Sequence, residues 1–260
     1  KLSGFRPKSL LRNLRRLPGY FSAYRRLKAQ AADSPEPFEF GALFPLLDEG
    51  TKPAGSAHGH YFHQDLYVAQ KIFAARPERH IDVGSRVDGF VAHVATFRPV
   101  DAIDVRPLVS TTENIRFLCA DLMAPLPPEL IGATDSLSCL HAIEHFGLGR
   151  YGDPLDFNGH LKGIANLYRM LRPGGTLYLS TPIGARQRIE FNAHRVFALP
   201  YLLDRLAPRF QLRSFSYVGD DGHLHRDVDS ASAEARNTFG LQYGCGIFEL
   251  TANAVSAAAA

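Results

Sequence analysis

The sequence predicts an open α/β fold, a seven-stranded, mostly parallel sheet with helices on both faces, preceded by basic N-terminal helices. Three observations predict it. Short apolar, strand-like runs alternate with helical segments from residue 61 onward, the pattern of a parallel sheet covered by crossover helices. The first of these strands runs into Asp82-Val83-Gly84-Ser85, where glycine permits a tight turn and a close ligand approach. Acids then stand at the ends of the next two strands, Asp104 and Asp121.

The elements follow in order. Leu10, Leu11, Leu14 and Leu17, then Tyr20, Phe21, Tyr24 and Leu27, recur at helical spacing with arginines between them. Pro18-Gly19 separates the two runs, so two short basic amphipathic helices are expected. Residues 31–60 are rich in Pro, Gly and Ala and read as a connection; a helix over 61–72 leads into the main domain, 61–254. Strands are expected at 80–83, 101–105, 115–119, 135–140 and 176–180, with two later runs, 210–218 and 246–251, closing the sheet. A helix over 158–171 ends at Arg172-Pro173-Gly174-Gly175, read as a turn. Residues 255–260 read as a tail.

Hydrophobic residues make up 45% and charged residues 21% of the 260, enough for a sizeable core. No run of apolar residues is long enough to span a bilayer, and no signal peptide is expected. Cys119, Cys139 and Cys245 form no CxxC pair; they read as buried free thiols in a reducing, cytoplasmic setting. Residues 1–30 hold nine basic residues and no acid, among them Lys1, Arg6, Lys8, Arg12 and Arg16, which leaves 20 bases against 26 acids elsewhere. Such a stretch either packs with its arginines in water or docks on anionic lipid, at the inner face of a membrane, or on an acidic partner. The acidic remainder, without a recognition motif, argues against nucleic acid.

Ligands of open α/β sheets bind at the carboxyl ends of the strands. Asp104 stands 22 residues after Asp82, where a carboxylate can accept both hydroxyls of a ribose. Asp121 is placed to accept the exocyclic amine of an adenine. The ordered set Asp82, Gly84, Ser85, Asp104 and Asp121 therefore describes a nucleoside pocket.

On these residues the chain resembles class I S-adenosylmethionine (SAM)-dependent methyltransferases, which have a Rossmann-like fold. The family's Gly-x-Gly-x-Gly reads here Gly84-Ser85-Arg86-Val87-Asp88-Gly89. Arg86 stands at the middle glycine position; it either pairs with the carboxylate of the methionine moiety or marks a degenerate pocket. The resemblance implies SAM as cofactor, Asp104 on the ribose, Asp121 on the adenine, and Leu140 with His141 flanking the methionine. The chain is also similar to a methyltransferase-like family of bacteria and nematodes, whose bacterial members occur among surface-polysaccharide genes. His63-Gln64-Asp65-Leu66, the stretch from His141 to Pro154, and Phe191-Asn192-Ala193-His194-Arg195-Val196-Phe197 carry that likeness. It implies polysaccharide biosynthesis and a sugar or glycan acceptor.

Methylating a hydroxyl calls for a base, and histidine suits neutral pH. If the segment after the fourth strand is helical, His141 and His145 lie one turn apart with Glu144 beside them. His145 or His141 is the expected base and Glu144 its orienter; capping or lining the pocket is the plainer role. Arg150, Tyr151 and Asp153 in a Gly-rich loop, and His194 and Arg195 in a loop after the fifth strand, are expected to contact substrate. His58, His60 and His63 cluster before the domain, where a metal site could use them, but they fit no standard zinc spacing and the plainer role is to cover the pocket, so no metal is expected. His223 and His225 fall in a polar surface loop. The reading is thus a SAM-dependent O-methyltransferase acting on a sugar, glycan or other polar small molecule. Its rivals are a degenerate, non-catalytic scaffold and a nucleotide-dependent dehydrogenase or epimerase, for which no phosphate cradle is present.

Overall fold

The computed structural model describes residues 7–47, 53–109 and 111–254. Lys1, Arg6 and the tail 255–260 lie outside them. The chain divides into a first unit up to Ser56 and a second from Ala57.

In the first unit a single helix, α1 (Pro7–Ala32), replaces the two expected, with Pro18 inside it. A proline removes one i→i−4 bond; the flanking Leu, Arg, Lys, Ala and Gln are among the best helix formers and carry the helix past it. Arg16 Nη1 donates to Leu47 O at 2.8 Å, and Tyr24 meets Phe40 edge-on, which brings the following segment back along α1. Leu14, Phe21 and Leu27 stay exposed. Among the described residues no helix is long and apolar enough to cross a membrane.

The second unit runs α2 (His60–Ala75), β1 (His80–Val83), a turn at Val87–Val91 kinked at Gly89 and leading into α3 (Ala92–Ala95), β2 (Val100–Asp104), β3 (Ile115–Cys119) and β4 (Thr134–Leu140). It continues with α4 (Gly159–Met170), β5 (Leu171–Ile183), β6 (Arg188–Glu190), β7 (His194–Val196), α5 (Leu199–Leu206), β8 (Phe210–Val218), β9 (Leu224–His225), α6 (Ala233–Arg236) and β10 (Gly244–Ala252). The main sheet has eight strands in the order β3-β2-β1-β4-β5-β10-β8-β9. β1 to β5 pair in parallel, and β10 is antiparallel to both β5 and β8. The eighth strand is the two-residue β9, which places His225 on a sheet edge rather than in a plain loop.

Strand alternation divides the core by face. Ile81, Val83, Ile103, Leu137, Cys139, Leu177 and Leu179 pack with α4 and α5 on one side. Ala102, Leu140 and Tyr178 pack with α2 and the Phe90-Val91-Val94 segment on the other.

Three more expectations are corrected. Arg172-Pro173-Gly174-Gly175 is a bulge within β5, because Leu171 pairs with Thr134 and Thr176 with Ser136. His194 and Arg195 begin β7 of a small hairpin that sequence alternation did not reveal. Cys119 is exposed, since β3 is the edge strand.

Candidate active site

The site lies past the carboxyl ends of β1, β2 and β4. Gly84 turns the chain there with φ +76°, and a Cβ on it would stand 2.7 Å from Ala142 Cβ, so only glycine fits. Asp82 supports this turn from below. Its buried carboxylate accepts the Ser85 amide (3.1 Å), Ser85 Oγ (2.8 Å) and Ser138 Oγ (2.5 Å). Ser138 also meets His80 Nε2, and Ser136 meets His80 Nδ1, so the polar groups beneath the turn form one satisfied chain. Burial pushes Asp82 up to about 6 and His80 down to about 3. Asp82 therefore shapes the turn and does not line the cleft.

Asp104, Asp121 and Val105 line an apolar slot with Ile103, Ala120, Leu122, Met123 and Ala142. Asp121 accepts the Met123 amide at 2.8 Å. Asp104 is clasped by Arg106 through two charge-assisted bonds, at 2.9 and 2.6 Å. Arg106 also stacks on Tyr151, 4.3 Å from the ring centre. An outer cleft continues from this slot, lined by Tyr61, Ser85, Arg86, Leu140, His141, His145, Arg150 and Tyr151. Arg86 forms a solvent-exposed pair with Asp88, a contact weakened by water and readily exchanged for a ligand carboxylate.

The histidines do not share a helix face. Only Ile143–His145 forms a single 3₁₀ turn, and His141 stands before it in the left-handed region, φ +49°. Glu144 is what joins them: its Oε1 lies 2.8 Å from His141 Nδ1 and 3.6 Å from His145 Nε2. Burial alone would raise Glu144; the charge and hydrogen bond of His141 outweigh it and hold the carboxyl below its ordinary value. Burial opposes a charge on His141, but Cys245 and Glu144 beside it raise it well above the ordinary histidine value.

His145 Nδ1 lies 2.7 Å from Ala193 O. Arg150 Nη1 also lies 3.3 Å from Nδ1, but the carbonyl contact is much the shorter and a carbonyl only accepts, so it favours the hydrogen on Nδ1 and the lone pair on Nε2. Burial lowers the His145 pKa, which keeps this neutral form at pH 7. His145 lines both slot and cleft, at their junction.

The proposed substrate residues separate. Tyr151 enters both slot and cleft, edge-on to His145 at 5.5 Å. Arg150 lines the cleft while donating to Ala193 O at 2.8 Å. Asp153 accepts the Gly147, Gly149 and Tyr151 amides and ties the loop together. His194 packs on Tyr243 at 5.1 Å and pairs with Glu190. Arg195 is corrected from substrate contact to internal brace: it is buried and donates to the carbonyls of Glu144, Phe146, Asp156 and Phe157. Sequence reading missed Arg106, Tyr61 and Tyr243. Their signal was weak, an arginine two residues past an acid and isolated tyrosines.

Residues 129–237 match a family model described as "Caenorhabditis protein of unknown function, DUF268". That match takes in Glu144, His145 and the Tyr151 loop, but not Gly84 or Asp104. No curated protein matches the chain. Among solved structures, the chain is similar to the N-methyltransferase NodS of Bradyrhizobium japonicum WM9 in complex with S-adenosyl-L-homocysteine: TM-score 0.50, 13% identity, 75% of this chain and 88% of that one. It is also similar to the 1,6-didemethyltoxoflavin-N1-methyltransferase of Burkholderia thailandensis, solved with 1,6-didemethyltoxoflavin and S-adenosylhomocysteine: TM-score 0.53, 14% identity, 98% and 93%. The chain has the class I SAM-dependent methyltransferase fold.

Proposed function

We propose that this chain is a SAM-dependent O-methyltransferase whose acceptor is a hydroxyl of a sugar, a glycan or another polar small molecule. One observation carries the reading: His145, its Nδ1 against the Ala193 carbonyl, stands at the junction of an apolar slot and a polar outer cleft.

The residues suit the cofactor. The apolar slot accommodates an adenine beside Asp121, and Asp104 accepts two ribose hydroxyls once Arg106 exchanges its partner. Gly84 leaves the backbone bare where the methionine portion passes. When bound, SAM supplies an electrophilic methyl group. The chain's part is to orient the acceptor hydroxyl and take its proton at His145 Nε2, with Arg150 and Tyr151 closing the outer side. Free cysteines accord with a cytoplasmic protein, and the basic α1 with a position beside an anionic membrane.

Calorimetric titration with S-adenosylhomocysteine tests the pocket. Micromolar binding that is lost in Asp104→Ala supports it and justifies an acceptor screen with His145→Ala as control. A folded chain that does not bind overturns it. The Arg106–Asp104 clasp favours the second reading in that event, a degenerate methyltransferase-like scaffold in a polysaccharide-synthesis complex.

A further inference from the structure

His60, His141 and Cys245 come from three distant places in the sequence: the start of α2, the residue after β4 and the start of β10. The fold gathers them so that one ligand atom from each lies within 4.8 Å of the others. His141 is the most telling of the three. Glu144 holds its Nδ1 at 2.8 Å, which leaves Nε2 as the coordinating nitrogen. That Nε2 is fully buried, with no nitrogen or oxygen partner and the Cys245 thiol beside the ring, although buried polar atoms are nearly always satisfied. A carboxylate on one imidazole nitrogen, with the other nitrogen free, is how metal-bound histidines are fixed and made more basic. The His60 ring stacks on His141 with planes 8° apart, and Tyr61 and Tyr243 border the two rings.

We propose that His60, His141 and Cys245 bind a divalent transition-metal ion, zinc by the character of its donors, beside the acceptor cleft. Two imidazoles and a thiolate suit zinc or cobalt and exclude magnesium and calcium, which take oxygen ligands. Three protein ligands are the number found where zinc keeps a position open for water or substrate, not the four of closed structural sites. His141 lines the cleft that also holds His145. The open position is therefore available to the acceptor's hydroxyl or thiol, and the ion fixes that group near His145 Nε2. The three residues lie far apart in sequence, so no local zinc motif marks the site.

The role at the acceptor rests on the methyltransferase reading; the metal site itself does not. The full chain is stripped with a chelator, and zinc alone is titrated back against a chromophoric competitor. Cobalt(II) is then loaded in its place to read the thiolate-to-metal absorption. One ion per chain is expected. Cys245→Ser abolishes the thiolate band, and His60→Ala, at the partly exposed first turn of α2, weakens binding without disturbing the core. Glu144→Gln weakens zinc about 10- to 100-fold through His141. A folded wild-type chain that takes up no ion, or binding undiminished in both His60→Ala and Cys245→Ser, overturns the proposal. No S-adenosyl compound enters the readout, so this result and the outcome of the cofactor titration fail or stand separately.

Discussion

Arg106 grips both carboxylate oxygens of Asp104, two residues before it, and lays the same guanidinium on the Tyr151 ring. Asp104 is the acid that the ribose hydroxyls require, so cofactor and Arg106 compete for it. An exposed ion pair is worth about 0.2–1 kcal/mol, small beside two hydrogen bonds to a charged acceptor at about 1.5–3 kcal/mol each. Arg106→Ala is expected to tighten S-adenosylhomocysteine up to about fivefold, the upper end of that range. Asp104→Ala is expected to weaken it at least tenfold, since losing even one such bond costs about that much. Calorimetry on the two variants decides the matter. Weaker binding in Arg106→Ala would mean that the arginine belongs to the cofactor site as a stacking partner.

His145 makes a kinetic prediction. With Nδ1 held by Ala193 O, its replacement by Gln removes the proton acceptor while leaving the nucleoside slot intact. General-base contributions are typically about 10²- to 10⁴-fold, and a loss of that size in kcat is expected, with a much smaller change in S-adenosylhomocysteine affinity, since His145 only borders the slot. Burial lowers the His145 pKa against the pull of Glu144. The base form therefore persists as pH falls, and the acid limb of the rate profile lies below the ordinary histidine value of 6.5. An acid limb above 6.5 would assign the base elsewhere.

Asp82 makes a stability prediction. Its carboxyl titrates at about 6 in the folded chain against 3.8 unexposed to that environment, because burial disfavours the charge. Between these values the folded chain holds a proton that the unfolded chain has lost, so this group adds stability as pH falls from 7 toward 4 and removes it as pH rises. At neutral pH the buried charge costs about 3 kcal/mol. Asp82→Asn removes that cost and keeps an acceptor for the Ser85 amide. Urea unfolding is expected to show the variant more stable than wild type at pH 7, with the gap closing toward pH 4. A gap independent of pH would show that Asp82 is not the titrating group.

Much of this framework was legible in the sequence. The runs at 80–83, 115–119 and 210–218 became strands with those bounds, because a strand advertises itself as a short apolar run between turn residues. His141 and His145 line the cleft because they follow β4, and strand ends are where an α/β sheet exposes side chains, while Glu144 is buried behind them. The contacts that redefine roles were not legible. Nothing local ties His60 to Cys245, or Arg195 to four carbonyls of the 144–157 loop; such contacts are set by the packing of α2, β7 and β10. Pro18 misled for the opposite reason, since a local breaking signal lost to the helix formers around it.

Arg195 carries the last prediction. Position in the chain suggested a substrate contact, but the side chain is 4% exposed and its donors reach Phe146 O at 2.6 Å, Phe157 O at 3.1 Å, Glu144 O at 3.3 Å and Asp156 O at 3.4 Å. These carbonyls bracket the loop that carries Glu144, His145 and Tyr151, so Arg195 fixes the catalytic side of the cleft from behind. Arg195→Ala leaves several buried acceptors unsatisfied, at about 1–3 kcal/mol each. The expected result is a melting temperature lower by at least about 5 °C, since about 2–4 °C accompany each kcal/mol in a chain of this size. Arg195→Lys is expected to recover only part of the loss, because an ammonium cannot span carbonyls on both sides of the loop. A residue that touched substrate would instead raise KM with no change in melting. Thermal unfolding of the two variants, beside their acceptor kinetics, separates a brace from a contact.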